Sequence, residues 1–444
     1  MITVLQTLRN RFFSHWFFLI FLALSSVQYF SGISLVPFHP DESTQIYMST
    51  DGMELFINPI GLIVTDHQYL DQKQIYRLLD APLTRYLIGI SYLLTGNSPL
   101  KTDWNWSKSW VENQEAGALP SQQTLWIARM SSSLFFPATL ILIYYLGCAI
   151  DGKLAGFSSA FILGTNALVQ LHSRRAMAEG VLLFGVAGLL VILLLAPKKI
   201  WMAAIAAAFA VSAKYSAVGI IPACVVALFW DDKPSSPKTH ASWVRVLTFM
   251  GFFLGVTLLL HPAFWFSPYK ALGWAVHLRQ DLISRQVFEI GKQSPDQILN
   301  TNINRLAILI ANLYLTPPMI SELGNYQEDL SNITAAYLAN PLHQAFRNMI
   351  GAGFLLFLTI IGLLWSGAQV LRDSGDNKRR CALLIAGFLF ETLILILFVS
   401  LPWQRYVIPL VPFTAVFSGI GVSSIIKTSP RVLSNGRLFP KSAS

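Results

Sequence analysis

The sequence predicts an all-α membrane protein whose helices cross a bilayer about ten times, and three observations support this fold class. Hydrophobic residues make up 54% of the 444 positions. Charged residues make up only 12%, whereas a soluble domain carries about 25%. The apolar residues are grouped in long runs, several of which approach the roughly 20 residues that a helix needs to cross a bilayer. A polytopic bundle of transmembrane helices is the fold that satisfies all three.

The apolar runs divide the chain into ten predicted spans. The first could be taken for a cleaved signal peptide, but its apolar character continues to Val36, which is long for such a segment. We therefore predict that it is retained as a helix. Spans five and six are short and are separated by Lys214, so they could form one broken hairpin. The predicted spans are 16–36, 124–150, 155–171, 180–196, 200–213, 216–230, 244–262, 345–370, 382–401 and 404–426.

The basic residues predict the orientation of these spans. Half of the 32 lysines and arginines fall at the two termini and in the short loops on one side of the membrane. Short loops rich in lysine and arginine stay in the cytoplasm. Both termini are therefore predicted to be cytoplasmic, in the plasma membrane of a bacterium. This topology accounts for the net charge of +9, so no nucleic acid partner is expected.

Two long segments, 37–123 and 263–344, are predicted on the opposite, extracytoplasmic side of the single transmembrane domain formed by residues 1–444. The first contains three tryptophans between 104 and 110 and an amphipathic stretch, 74–95, with apolar residues at helical spacing. We expect that stretch to form a helix lying in the membrane interface. The second contains aromatic residues that suit either acceptor recognition or membrane anchoring.

Three short extracytoplasmic turns carry basic residues against the charge rule. They contain the pair Arg174 and Arg175, then Lys214, and then Arg405 followed by Tyr406. Ionisable residues at membrane level are costly and point to function. Because all three turns are predicted at the same external level, they indicate a site for an anion. The alternative is that each cation pairs with a nearby acid or extends to the lipid headgroups.

Carboxylates are predicted at the same level. Asp41 and Glu42 follow the first span directly, Asp80 precedes Pro82 on the amphipathic stretch, and Glu179 opens the fourth span. Asp41 and Glu42 could cap a helix. Alternatively, a carboxylate near an apolar boundary can accept a proton from a hydroxyl while neighbouring cations stabilise a phosphate leaving group. Nucleotide donors are cytoplasmic and no Gly-rich phosphate loop occurs, so a lipid-linked phosphate donor is predicted.

Six short motifs occur in an order that resembles the polytopic glycosyltransferases of the C superfamily, in particular the protein O-mannosyltransferase and aminoarabinose-transferase group. Each motif is short, but all six are predicted on the extracytoplasmic side or opening onto it. The resemblance covers most of the chain and is thinnest over 263–344. The motifs are His39-Pro40-Asp41-Glu42, Asp80-Ala81-Pro82-Leu83-Thr84-Arg85-Tyr86-Leu87, Ala128-Arg129-Met130, Ser173-Arg174-Arg175-Ala176-Met177-Ala178-Glu179, Ala213-Lys214-Tyr215 and Arg405-Tyr406-Val407-Ile408-Pro409-Leu410-Val411-Pro412.

The resemblance implies an inverting transfer of a sugar from a polyprenyl-phosphate donor to an extracytoplasmic hydroxyl of a protein, lipid or glycan acceptor. It implies that Asp41 is the general base and that Glu42 helps to place a substrate. The donor phosphate would bind to cations from the three basic turns. Further candidates for the site are Asp80, Arg85, Glu179, Tyr406 and His261. The candidates for the donor phosphate are Arg174, Arg175, Lys214 and Arg405.

The resemblance also implies that no cofactor is required. Some members of the superfamily use a divalent metal between acidic residues and phosphate. A divalent metal is possible here but not expected, since the closest branch is generally thought to manage without one for catalysis and the cations could replace it. His261 lies at the external end of span seven. It could be a ligand, but a hydrogen-bonded interfacial histidine is the simpler interpretation.

Other functions fit the same features. A transporter or flippase for a lipid-linked sugar would also place charges within many spans. A transporter commonly contains internal repeats with paired broken helices, and no such pairing is visible in the sequence. A non-catalytic scaffold that binds polyprenyl lipid is a further alternative that only activity can exclude. A ligase or polymerase of glycans would share the chemistry and differ in its acceptor.

Overall fold

The computed structural model describes residues 2–66, 70–230, 238–322 and 326–435. Within these ranges the regular structure is helical and contains no β-strand, so the all-α prediction is confirmed. The α-helices are, in chain order, α1 (Ile2–Ser31), α2 (Pro40–Met48), α3 (Thr50–Ile57), α4 (Gln72–Leu79), α5 (Leu83–Thr95), α6 (Trp110–Glu115), α7 (Gln122–Ser133), α8 (Phe135–Asp151), α9 (Lys153–Gly164), α10 (Ala167–His172), α11 (Ala178–Leu195), α12 (Ile200–Ala213), α13 (Ile221–Phe229), α14 (Lys238–Leu260), α15 (Pro268–Gln293), α16 (Asn302–Ile310), α17 (Ser331–Leu338), α18 (Met349–Arg372), α19 (Asp376–Phe398) and α20 (Val411–Asn435).

Seven helical segments in these ranges are long and apolar enough to cross a membrane. Three shorter apolar helices lie between them, at 153–164, 200–213 and 215–229. Together they correspond to the ten predicted spans, and the chain is an integral membrane protein. The seven longer segments are His15–Leu35, Gln122–Asp151, Ala178–Leu195, Ser242–Leu260, Met349–Arg372, Asp376–Phe398 and Gln404–Lys427.

Helix α20 lies at the centre of the bundle, where α9 and α18 pack closely against it. Glycines permit this approach. A Cβ added at Gly362 of α18 would collide with the Phe417 carbonyl, and one added at Gly419 would collide with Ser159 of α9. Small residues at such positions let two helix backbones come into contact, which is how helices associate within a membrane. These contacts set the positions of the helix ends that carry polar residues.

Each end of the bundle carries an ion pair between residues distant in the sequence. At one end, Lys427 pairs with Asp151 at 2.7 Å, and Arg379 donates to the Leu194 carbonyl at the end of α11, also in the region predicted to be cytoplasmic. At the other end, Asp41 and Arg405 are in contact. The residues that the charge pattern assigned to opposite sides of the membrane are therefore at opposite ends of the structure.

The amphipathic stretch 74–95 is not one interfacial helix, and this prediction was wrong. It forms α4 and α5, which are separated at Asp80–Pro82. Proline fixes its own φ, lacks an N–H and disfavours helical backbone at the residue before it, so the helix cannot continue through Pro82. Helix α5 is partly buried, since Gly89 lies directly against the Ser49 carbonyl next to α3. The pair is packed onto the bundle end.

The segment 263–344 contains the long helix α15 and the shorter helices α16 and α17. The second half of α15 contacts the region before α20, because Val287 and Ile290 pack with Trp403 and Tyr406. Helix α16 continues into a π-helical turn, Ala311–Leu315. This segment therefore covers the bundle end at which Asp41 and Arg405 meet.

Candidate active site

Asp41 lies in the first turn of α2, directly after the first span. The helix begins with a reciprocal cap, in which the His39 ring accepts from the Asp41 backbone N–H at 3.1 Å and the Glu42 carboxylate accepts from the His39 N–H at 3.0 Å. Pro40 occupies the first helical position, where its missing N–H costs nothing. Because Glu42 and His39 form the cap, the Asp41 carboxylate is not used for capping. It contacts Arg405 instead.

The Asp41 carboxylate forms an ion pair with the guanidinium of Arg405. The Asp41 side chain remains 31% exposed and that of Arg405 14% exposed. The Arg405 Nε lies 2.9 Å from a carboxylate oxygen of Glu322, and its guanidinium lies 4.9 Å from the centre of the Trp403 ring. One arginine therefore contacts two carboxylates and an aromatic face at the end of the bundle.

The charges around Asp41 keep it ionised. Burial acts to raise the pKa of Asp41, but the positive charges of Arg405 and Lys214 outweigh it and the pKa is lowered to about 2. Glu322 responds in the opposite way, since burial raises its pKa in spite of the nearby Arg405. Burial also lowers the pKa of His39 well below its usual range. At neutral pH the site thus contains an ionised Asp41 beside a neutral imidazole.

A second ion pair lies next to the first. The Lys214 Nζ donates to a carboxylate oxygen of Glu179 at 2.7 Å and lies 5.9 Å from the centre of the Tyr406 ring. Glu179 is almost fully buried, and its other carboxylate oxygen has no partner among the described residues. The structure therefore brings together five of the residues predicted from the three turns and the acidic motif: Asp41, Glu179, Lys214, Arg405 and Tyr406.

Glu42 has a different environment from its neighbour Asp41. It is completely buried, and its two oxygens receive hydrogen bonds from Arg129 at 2.7 and 2.8 Å and from the Ala176 N–H at 2.8 Å. Arg129 also donates to the Ile33 carbonyl at 2.9 Å. Together with the bond from the His39 N–H, the Glu42 carboxylate accepts four hydrogen bonds. These bonds join α2 to α7 and to the turn before α11.

The arginine pair at 174 and 175 donates to backbone carbonyls, although Arg175 lies near Glu322 and His39. Arg174 donates to the carbonyls of Tyr29 at 2.9 Å and Gln28 at 3.1 Å, at the end of α1. Arg175 donates to the Ile320 carbonyl at 2.6 Å and is buried. Each arginine therefore satisfies backbone carbonyls near the end of a helix or in a loop. Both contribute to holding the segments on which the site is built.

The other candidates lie on the α4–α5 side. Asp80 pairs with Arg279 of α15 at 3.2 Å, and Arg85 pairs with the buried Asp51 at 3.2 Å. His261 is buried, its Nδ1 lies 2.6 Å from the Thr257 carbonyl, and its other ring nitrogen has no partner among the described residues. Asp80 is thus joined to α15, Arg85 joins α5 to α3, and His261 bonds to the end of α14 that precedes it. None of these contacts includes Asp41 or Arg405.

Sequence reasoning missed Glu322 and did not assign a role to His39. Glu322 lies in the segment where the motif resemblance was thinnest. The loop before it is held by Gln404, which accepts from the Met319 N–H at 2.6 Å and donates to the Pro317 carbonyl at 2.7 Å. Gln404 directly precedes Arg405. Two adjacent polar residues at the start of an apolar span need hydrogen-bond partners, and this could have indicated that a loop packs against them. In the described ranges no group of three or more metal-ligating side chains could hold a metal ion.

No family model matches the sequence, and no curated protein matches it. Several solved structures are similar in chain course. The oligosaccharyltransferase AglB from Archaeoglobus fulgidus, in complex with an inhibitory peptide and a dolichol-phosphate, has a TM-score of 0.49 and 11% identity, over 97% of this chain and 53% of that one. ArnT from Cupriavidus metallidurans, bound to undecaprenyl phosphate, has a TM-score of 0.47 and 10% identity, over 94% of this chain and 63% of that one.

The S. cerevisiae protein O-mannosyltransferase Pmt1-Pmt2 complex, bound to the sugar donor, has a TM-score of 0.39 and 18% identity, over 57% of this chain and 34% of that one. Each of these three likenesses has a TM-score below 0.5 and concerns the course of the chain alone. The chain spans less than two thirds of the length of each of them.

Proposed function

We propose that the protein is a membrane glycosyltransferase that moves a sugar from a polyprenyl-phosphate donor to an extracytoplasmic acceptor hydroxyl. The observation that supports this most strongly is the contact between a part-exposed, ionised Asp41 and Arg405, with Lys214 beside them. A carboxylate that can accept a proton and cations that can bind a phosphate are the two groups that such a transfer requires. The protein sits in the membrane with its termini in the cytoplasm and this site on the outer face.

In the proposed reaction, the acceptor oxygen attacks the anomeric carbon as its proton passes to the Asp41 carboxylate. The bond between the anomeric carbon and the phosphate oxygen breaks, and its electron pair leaves with the polyprenyl phosphate. A single displacement of this kind inverts the configuration at the anomeric carbon. Arg405 and Lys214 stabilise the negative charge that develops on the departing phosphate.

The pairing of Asp41 with Arg405 gives donor binding a second effect. A carboxylate with a pKa of about 2 is a weak base. A phosphate that binds to Arg405 competes with Asp41 for the guanidinium, and the loss of that contact raises the pKa of Asp41 toward the ordinary range. Asp41 therefore becomes a better base when the donor is in place.

The remaining candidates have supporting roles in this proposal. Glu179 holds Lys214, and Glu322 holds Arg405 in the absence of donor. Glu42 fixes α2 through Arg129, while Arg174 and Arg175 fix the adjoining helix ends. We therefore assign the donor phosphate to Arg405 and Lys214, and we do not carry Arg174 and Arg175 forward as phosphate ligands. No cofactor is part of the mechanism.

The proposal is tested by sugar transfer in membranes that contain the protein, with radiolabelled polyprenyl-phosphate sugars and endogenous acceptors. The wild type transfers label, and Asp41→Asn loses transfer while it remains folded and inserted. Asp281→Asn is the matched control, because Asp281 is an exposed aspartate of α15 that pairs with His277 at 3.2 Å and lies outside the site. It retains full transfer.

The same assay separates the alternatives. If labelled donor crosses the membrane of sealed vesicles intact and no product forms, the protein is a flippase. If label is neither moved nor transferred but polyprenyl phosphate binds, the protein is a binding scaffold. If Asp41→Asn transfers as well as the wild type does, Asp41 is not the base and the mechanism fails.

A further inference from the structure

An aromatic cluster lies beside Asp41, and it is formed by residues that the proposed reaction does not use. We define it as Phe38, Trp104, Trp106, Trp110 and Tyr326. The ring centres of Trp104 lie 6.0 Å from Phe38, 5.7 Å from Trp110 and 6.2 Å from Tyr326. Residues from the loop after α1, the loop before α6 and the segment after Glu322 thus meet around one buried indole.

The cluster adjoins the proposed base through one residue. The Tyr326 ring centre lies 5.9 Å from that of His39. The His39 Nδ1 lies 4.0 Å from a carboxylate oxygen of Asp41. His39 thus lies between the cluster and Asp41, in contact with both.

Two polar groups within the cluster have no partner among the described residues. They are the indole N–H of Trp104 and the hydroxyl of Tyr326, and both side chains are almost completely buried. A buried indole N–H or phenol hydroxyl normally finds a hydrogen-bond partner, so each such exception requires an explanation. Neither polar atom reaches the surface, so a ligand with hydroxyl groups would supply both partners by entering beside Trp106. Both groups are neutral, which favours a neutral ligand.

Trp106 provides the accessible surface of the cluster. Its side chain is 40% exposed, and its ring centre lies 6.5 Å from that of Trp104 and 6.1 Å from that of Tyr326. The electron-rich face of an indole attracts the weakly positive C–H groups of a flat, otherwise hydrophilic ring. A pyranose or furanose sugar has such a C–H face together with hydroxyls around its edge.

The loop that carries Trp104 and Trp106 is held rigid. Asn113 accepts from the Asn105 N–H at 2.8 Å and donates to the carbonyls of Asn105 at 3.0 Å and Ser109 at 2.9 Å. The Trp104 N–H donates to Asp103 at 2.8 Å. A binding surface that is fixed before the ligand arrives loses less entropy on binding. The same bonds occupy the backbone N–H groups of Trp104 and Asn105 and the carbonyls of Asn105 and Ser109.

We infer from these observations that the aromatic cluster is the acceptor subsite, and that the acceptor is a carbohydrate. The terminal sugar stacks on Trp106, its hydroxyls bond to Trp104 and Tyr326, and a further hydroxyl points to Asp41. This inference rests on the proposed function in one respect only, that the bound sugar is the acceptor of the transfer. The binding of a carbohydrate to the cluster can be measured without any transfer.

The test uses the full-length protein in nanodiscs and a panel of tetrasaccharides of glucose, galactose, mannose, N-acetylglucosamine and arabinofuranose. Binding is measured by saturation-transfer NMR and calorimetry. At least one probe binds the wild type. Trp106→Ala weakens that binding at least tenfold, and Tyr326→Phe weakens it about fivefold through the loss of one hydrogen bond. Trp126→Ala is the matched control, since Trp126 is 46% exposed and lies outside the cluster, and it binds normally.

Kinetics with the bound probe as acceptor give a second readout. Trp106→Ala raises the KM for the acceptor and leaves the KM for the donor and kcat unchanged, whereas a loss of folding would reduce all activity. The inference is overturned if no probe binds the wild type, if Trp106→Ala binds as well as the wild type, or if a serine- and threonine-containing peptide binds in a Trp106-dependent way. Asp41→Asn binds the probe normally but does not transfer sugar. If Asp41→Asn does transfer, the proposed reaction fails while the binding result is unaffected.

Discussion

Replacement of Glu42 by glutamine separates a structural carboxylate from a chemical one. The four hydrogen bonds to Glu42 come from Arg129, which gives two, and from the N–H groups of His39 and Ala176. Glutamine has one carbonyl oxygen and no charge, so it leaves the buried guanidinium of Arg129 without a counter-ion. Loss of one member of a buried ion pair costs about 3–5 kcal/mol. We expect Glu42→Gln to destabilise the protein by that amount.

The assay is thermal unfolding of the purified protein in detergent, with sugar transfer measured per folded molecule. Glu112→Gln is the matched control, because Glu112 forms the same kind of helix cap with Ser109 at the start of α6 but is exposed. Loss of an exposed cap costs about 1 kcal/mol. If Glu42→Gln is as stable as the wild type and yet transfers no sugar, Glu42 takes part in the chemistry and the structural assignment is refuted.

Three further predictions follow from the site and the bundle. Arg405→Gln removes the proposed phosphate contact and lowers kcat/KM for the donor by about 10²–10³, as the loss of one charge-stabilising donor does in other enzymes. Lys270→Gln, on the exposed part of α15, is the control and has no effect. Equal kinetics for the two variants would exclude the assignment of the phosphate to Arg405. Because the pKa of Asp41 is about 2, the carboxylate is ionised in the free protein at any higher pH and its pairing with Arg405 is lost only as the pH falls through that value. The profile of kcat/KM against pH therefore has no acid limb from Asp41 above about pH 4, and a limb near or above the ordinary aspartate value would contradict the pairing. Gly362→Leu forces α18 away from α20 and lowers the free energy of unfolding by about 1–3 kcal/mol or more. Gly367→Leu is the control, because a side chain at Gly367 meets open space and is tolerated. Equal unfolding temperatures for the two variants would show that the close approach of the two helices does not contribute to stability.

The sequence predicts the spans well, because each one is a local property of some 20 residues. It also predicts that Asp41, Lys214 and Arg405 meet, since the charge pattern places their turns on one side of the membrane. Asp41 and Arg405 are 364 positions apart and are nevertheless in contact. The predicted topology therefore indicates which distant residues can meet, because it assigns each turn to one of the two sides of the membrane.

The sequence could not predict which ion pair or hydrogen bond each charged residue forms at that end of the bundle. Arg174 and Lys214 have the same charge and the same predicted depth. In the structure Arg174 turns to carbonyls at the end of α1, while Lys214 pairs with Glu179. The partner that each side chain contacts depends on the direction of the side chain and on the packing of the loops. Neither of these produces a periodic pattern in the sequence. Glu322 was missed for the same reason, because a loop between helices positions it.

The central claim is that Asp41 and Arg405 form the centre at which a sugar leaves a polyprenyl phosphate. The most direct measurement uses the purified protein in liposomes, a polyprenyl-phosphate sugar of known anomeric configuration and an acceptor. The released polyprenyl phosphate and the configuration of the product are both determined. The wild type is predicted to release one polyprenyl phosphate for each sugar transferred with inverted configuration, and Asp41→Asn to release none. A retained configuration, or equal release by Asp41→Asn, would contradict the account.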